Sequence, residues 1–371
     1  MGLDFLRNNG ARRVRDFDAQ PTLLNEGIPL AEQQDEPVDL EYEKSLVDWE
    51  PISVTANGQV DDADNGRTYQ AHWPQRFIDG KDVGRTVAWL LSREGYPVPV
   101  RLAEIGAVSM RAIKTPTGER TLRREWDKVE RVVTFMTDLF PWEEVEEFAC
   151  SLQGTGFRLL SVRVTLESDA EGFRFDYQRM AQNAINRSKD EMIRLEREAL
   201  AVSRDVPTIV DGGLEARSGV FNETSAVVGL IKSHSRNYLH PDGWRTFYAL
   251  EPYERTPAFM LKNTLSASLP SGRKLEVVSW YLRLDGARGE LPNWGIVRVE
   301  VSRPFFEQTL QGDVGYINRV SRLICDYRCR DEGYSRAAVS IHPIQRAEAS
   351  LGSLFTQPDT LISHFYRLTN L

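Results

Sequence analysis

The chain of 371 residues has few cysteines, no long apolar run and no excess of positive charge. Its three cysteines, Cys150, Cys325 and Cys329, are an odd and low count that argues against a disulfide framework and for free thiols. Cys325 and Cys329 stand four apart, but no second Cys or His pair follows at zinc spacing, so a structural zinc is not expected. The longest apolar runs, such as "TVAWLL" at 86–91, are far too short to cross a bilayer. The N-terminus lacks the apolar core of a signal peptide, and Leu6 breaks the myristoylation pattern that Met-Gly opens. These absences read as a cytoplasmic protein without a membrane partner. A net charge of −8 does not announce a nucleic-acid binder, although "ARRVR" and "TLRREWDKVERVV" are locally basic. No Walker-type loop, no GxSxG and no Cys-His pairing offers another catalytic constellation.

What is present is a repeated device. "RFIDG" at 76–80 and "TIVDG" at 208–212 each drive an apolar run into Asp-Gly. One reading is two turns, because Asp-Gly is a common turn dipeptide. The other is two carboxylates, Asp79 and Asp211, held at strand ends around a hard divalent cation. A third possibility is an unrelated α/β protein with the two sites far apart in space.

Around these sites the pattern alternates between strand and helix. Strands are expected at 75–79, 157–167, 208–211 and 225–234, with extended chain from 86 to 112. Residues 121–152 read as helical, broken at 140–142. The longest helical stripe is 174–203, with apolar or small residues at 181, 185, 188, 192, 195, 199 and 202. Residues 256–303 read as an antiparallel sheet whose hairpin loop is "DGARGELP". A helix follows "SIHP", whose His342 is expected to be packed rather than catalytic. The fold class is therefore mixed α/β. An acidic, proline-interrupted arm over residues 1–65 precedes a main domain over 66–371, with a β region at about 250–310.

Further candidate side chains lie near the Asp-Gly sites. Glu191, Glu196 and Glu198 flank the helical stripe just upstream of Asp211, and each can also be a solvated helix charge. Lys232 ends the apolar strand "VVGLIK", as a phosphate or water ligand or as a snorkelling surface lysine. His234, Arg236 and His240 follow it as candidate phosphate contacts.

Five ordered stretches together resemble the NurA nucleases of archaea and bacteria: "FIDG", "TIVDGGL", "VVGLIKSHS", "VSWYLRL…NWGIVRVEV" and "IHPIQRAEASL". The resemblance covers roughly residues 70–365. It implies an RNase H-like sheet flanked by helices, a divalent metal (Mn²⁺ or Mg²⁺) and hydrolysis of DNA phosphodiester bonds. It also implies a homodimer that works with a HerA-type hexameric ATPase in DNA-end processing or antiviral defence. Carried over position by position, Asp79 and Asp211 match the metal-binding aspartates and Glu196 the helix glutamate, with Glu191 and Glu198 as alternatives. Lys232 matches the strand lysine, and Glu348 stands where the closing motif often has His or Asp. Lys81 and Gly213 follow the two glycines where the family often has serine, which leaves room for an inactive adaptor that regulates the ATPase.

Overall fold

The computed structural model describes residues 2–14, 39–44, 48–55, 69–114, 120–163, 177–233, 238–262, 274–286, 292–331 and 333–371. His234, Arg236 and most of the arm lie outside these residues.

In chain order, a short helix α1 (Phe5–Asn8) and three small strands, β1 (Arg12–Arg13), β2 (Asp39–Tyr42) and β3 (Ile52–Ser53), come from the arm. Three long strands follow: β4 (Arg76–Leu91), β5 (Pro97–Lys114) and β6 (Arg120–Met136). Helix α2 (Trp142–Ser151), strand β7 (Phe157–Val162) and the 26-residue helix α3 (Tyr177–Val202) lead to β8 (Thr208–Asp211) and β9 (Val227–Ile231). Helix α4 (Pro241–Ala249) precedes β10 (Glu254–Arg255), β11 (Phe259–Lys262), β12 (Val277–Arg283) and β13 (Ile296–Ser302). Helices α5 (Val314–Asp326), α6 (His342–Gly352) and α7 (Pro358–Leu368) close the chain.

All the described strands belong to one mixed sheet, with main order β2-β11-β12-β13-β9-β8-β4-β5-β6-β7. Strands β4, β5 and β6 form an antiparallel meander, while β8 is parallel to both β4 and β9. The arm strands β1, β2 and β3 pair with β4, β11 and β10, so the described part of the arm extends the sheet. The Arg328 to Ile341 bridge fastens the segment before α6. No described helix is long and apolar enough to cross a membrane.

Two expectations fail here. Residues 120–136 are strand, not helix. Charges spaced three and four apart mimic a helix, but their distal half is an exposed hairpin arm whose pairing with β5 sets its structure. Asp79-Gly80 is not a turn either: β4 runs straight through it to Leu91.

Side-chain alternation assigns the two faces of the central sheet. Phe77, Ile209, Val228 and Leu230 pack into one buried cluster with α5 and Ile344 of α6. Ile78, Val210 and Val227 pack on the opposite face with Ala199 and Leu200 of α3. The α3 stripe is further fixed by a buried triad. Arg101 donates to Asp82 at 2.7 Å, and Ser188 of α3 donates to the other Asp82 oxygen at 2.6 Å.

Candidate metal centre

In the parallel β4/β8 pairing Phe77 stands opposite Ile209 and Ile78 opposite Val210. The ladder ends there, and the next residues of the two strands, Asp79 and Asp211, lie close enough for the charge of one to act on the other. Both follow the face of Phe77 and Ile209, the face that α6 covers. This overturns the possibility that the two Asp-Gly sites lie far apart. Asp79 is only 5% exposed. Among the described residues no donor lies within hydrogen-bonding distance of its carboxylate. Burial pushes the Asp79 carboxyl well above its ordinary range. The neighbouring Asp211 carboxylate adds to that effect, Lys232 opposes it, and Glu196 and Glu348 add further.

The other candidates are paired. Lys232 Nζ donates to Asp211 Oδ2 at 2.8 Å. Glu196 is 2% exposed and reaches across α3 towards β4. Gly80 makes that possible: a Cβ there would stand 2.7 Å from Glu196 Oε1. The first glycine therefore serves a close approach and not a turn. At the second site Gly212 takes φ of +110° and the chain does turn. Burial pushes the Glu196 carboxyl up to about 7, against Arg217 and with help from Asp211.

Glu348 sits on α6 with Tyr334 donating to it at 2.6 Å and Arg336 at 3.3 Å, and Lys81 Nζ forms a longer ion pair with it at 3.9 Å. Arg336 also feels Asp211 and Asp79, which places Glu348 at the rim of the same cluster. Glu191 and Glu198 do not join it. They belong to a lattice with Glu130, Arg158, Arg194 and Lys128 that clamps α3 to β6 and β7. His240 lies beside Asp242 at the start of α4, 3.6 Å away. His342 is exposed rather than packed. It lines a cleft of about 370 Å³ with Phe77, Arg120, Tyr327 and Arg346 at the start of α6.

Arg217 carries no signal of its own beyond following "DGGLEA". It is 4% exposed and bridges the site. Its Nη2 donates to Glu196 Oε2 at 2.5 Å and to the Asp211 carbonyl at 2.6 Å, and its Nη1 donates to the Gly213 carbonyl at 2.8 Å. Glu300, in the Arg-x-Glu strand, is buried, pairs with Arg298 at 3.1 Å and accepts from the Leu214 amide at 2.6 Å. It pins the loop after Asp211. Tyr334 and Arg336 lie in "GYSRAA", which has no pattern to betray them.

Asp79, Asp211, Glu196 and Glu348 offer only carboxylate oxygens, the donor type of Mg²⁺ and Mn²⁺. A buried carboxylate without a donor, as at Asp79, fits a cation as its missing partner. Among the described residues, however, no three His, Cys, Asp or Glu side chains stand within reach of one ion. Three of the four carboxylates are turned to a basic partner instead.

Two carboxyls with raised folded-state pKa contribute stability fully below their unfolded value. That contribution is lost as pH rises through the folded value. For Glu196 the window runs from 4.5 to about 7 and is worth on the order of 3 kcal/mol. The melting temperature of the metal-free protein is therefore expected to fall between about pH 5 and about pH 8. Differential scanning fluorimetry in EDTA measures this. A flat profile would mean that both groups ionise as they do in water.

No protein-family model matches this chain, and no curated protein matches its sequence.

Proposed function

We propose that the chain is a divalent-metal-dependent DNA nuclease of NurA type, partnered by a HerA-type hexameric ATPase in DNA-end processing or antiviral defence. One observation carries the reading: Asp79 and Asp211 follow directly on the paired ends of adjacent parallel strands, with Asp79 buried and without a donor among the described residues. The order β6-β5-β4-β8-β9 is a three-stranded meander followed by two parallel strands, with α3 crossing before β8. That order supports an RNase H-like core. A homodimer and a cytoplasmic site of action complete the proposal.

Asp79 and Asp211 would hold the ion, with Glu348 at its flank, while Glu196 meets Gly80 on the opposite face of β4 as a neighbouring carboxylate. Bound Mn²⁺ or Mg²⁺ would supply Lewis-acid activation for phosphodiester hydrolysis. Lys232 orients Asp211 and presents positive charge to phosphoryl oxygens. Arg217 keeps Glu196 aimed at β4.

A second reading has its own observation. Lys81, Arg217, Lys232 and Arg336 match the four carboxylates in number and already pair with three of them, Glu348, Glu196 and Asp211. A cluster neutralised in this way suits a catalytically inactive adaptor that regulates the ATPase on DNA.

The experiment that separates the readings is a divalent-ion screen on labelled single- and double-stranded DNA, with and without the ATPase. Cleavage that needs Mn²⁺ and stops in EDTA supports the nuclease. No cleavage with any ion, with stimulated ATP hydrolysis, supports the adaptor. If the nuclease reading holds, Glu191→Ala and Glu198→Ala keep cleavage within about twofold of the parent, because both glutamates serve the α3 clamp. A large loss in either would move the metal set along the helix.

A further inference from the structure

A cleft of about 350 Å³ opens beside the carboxylate cluster, lined by Asp285, Trp294, Arg328, Arg330 and Tyr334 among others. Segment 334–336 is its shared wall with the cluster. Tyr334 lines the cleft while its hydroxyl donates to Glu348, and Arg336 two residues on pairs with the same carboxylate.

The aromatic wall is built to stay in place. Arg283 grips the turn before β13, donating to the carbonyls of Trp294 at 2.6 Å and Pro292 at 2.7 Å. Gly295 adopts φ of +71°, and a Cβ there would strike the Asp285 carbonyl at 2.4 Å. The turn that presents Trp294 therefore requires glycine after it. The Trp294 indole Nε1 is buried and has no hydrogen-bond partner among the described residues. Arg328 lies over the Tyr253 ring and donates to its hydroxyl at 2.8 Å, which orients the guanidinium. Arg330 is exposed and has no ion-pair partner among the described residues.

The aromatic side chains of Trp294 and Tyr334 and the guanidiniums of Arg328 and Arg330 in one cleft suit a ligand that is planar and anionic. An unpaired nucleotide has both properties. A base inside a duplex does not, because its faces are already stacked. We propose that this cleft holds an unpaired nucleotide of a DNA strand, its base against Trp294 and its phosphate towards Arg328 and Arg330. Resting on the nuclease reading, the cleft makes a single-stranded DNA segment the substrate and sets the strand's position relative to Asp79 and Asp211.

The test uses the full chain carrying Asp79→Asn, in EDTA, so that nothing is cut. Fluorescence anisotropy follows a short labelled single strand and the matching duplex. The single strand is expected to bind more tightly. Trp294→Ala weakens it roughly 10- to 100-fold, whereas Trp294→Phe, which keeps the stacking face, stays within about threefold. Arg330→Ala, on the surface and harmless to folding, weakens binding about fivefold and lowers the salt slope by about one. Arg346→Ala, in the other cleft at the start of α6, changes affinity by about twofold or less and controls for loss of any surface cation. Unchanged affinity in both Trp294→Ala and Arg330→Ala overturns the proposal. So does a duplex that binds as tightly as the strand. A parent chain that cuts no DNA with any ion, yet shows these binding losses, sinks the nuclease reading and leaves the cleft assignment standing.

Discussion

Replacing Asp79 by asparagine is expected, on the proposed nuclease reading, to abolish Mn²⁺-dependent cleavage and, on any reading, to make the metal-free protein more stable. The two effects share one cause. Asp79 is 5% exposed and close enough to Asp211 to feel its charge, and none of the described residues donates a hydrogen bond to it. Ionising it without a cation costs desolvation and adds like-charge repulsion. Asparagine keeps the shape and removes the charge. The gain at pH 8 is about 2 kcal/mol, read as a higher melting temperature in EDTA. If the chain is the proposed nuclease, cleavage falls by about a thousandfold, since an ion that would contribute several kcal/mol to the barrier would lose a ligand. Mn²⁺ should raise the melting temperature of the parent protein and leave that of Asp79→Asn nearly unmoved. A variant that is both stable and fully active would remove Asp79 from the site.

The second large effect is on Arg217. One buried guanidinium serves the Glu196 carboxylate and two backbone carbonyls of the Asp211-to-Gly213 turn. Arg217→Met leaves Glu196 buried without a partner and the turn carbonyls without a donor. Breaking a buried pair from one side costs about 3–5 kcal/mol. Chemical denaturation of the metal-free protein at about pH 8 should show that loss, and lowering the pH towards 5 should recover part of it by protonating Glu196. Glu196→Gln in the same chain should restore most of the remainder. Additive losses in the double variant would mean that the two side chains do not act as a unit.

How much of this was readable beforehand depends on whether the signal was local. Helix α3 was legible because its apolar stripe repeats over several turns, and β8 and β9 because short apolar runs bounded by Gly and polar residues have few other uses. Asp79 and Asp211 stood out as an echo. Residues 120–136 were not legible, since the partner that makes them a strand, β5, is not visible in their own composition. Gly80 misled for a related reason. Its role is set by Glu196, more than a hundred positions away, and nothing near "FIDG" encodes that approach. Which of three helix glutamates enters the cluster also needed the basic residues of β6 and β7, which take Glu191 and Glu198 elsewhere. Arg217, Tyr334 and Arg336 lie on connecting segments, where side-chain direction follows no period.

The register of β4 against β8 also says something about how the chain is made. Strands β4, β5 and β6 are neighbours in sequence and can close as a meander while synthesis continues. The strand that pairs with the other edge of β4 begins at Thr208, and the Arg76–Thr208 contact spans 132 positions. Until that strand leaves the ribosome, the "FID" edge of β4 has no partner, and Asp79 faces water without Asp211 beside it. Pairing across such a separation is slow, and an apolar open edge invites intermolecular pairing in the interval. The carboxylate cluster is thus among the last features to exist, and a nascent chain stopped before Thr208 carries the aggregation risk with none of the chemistry.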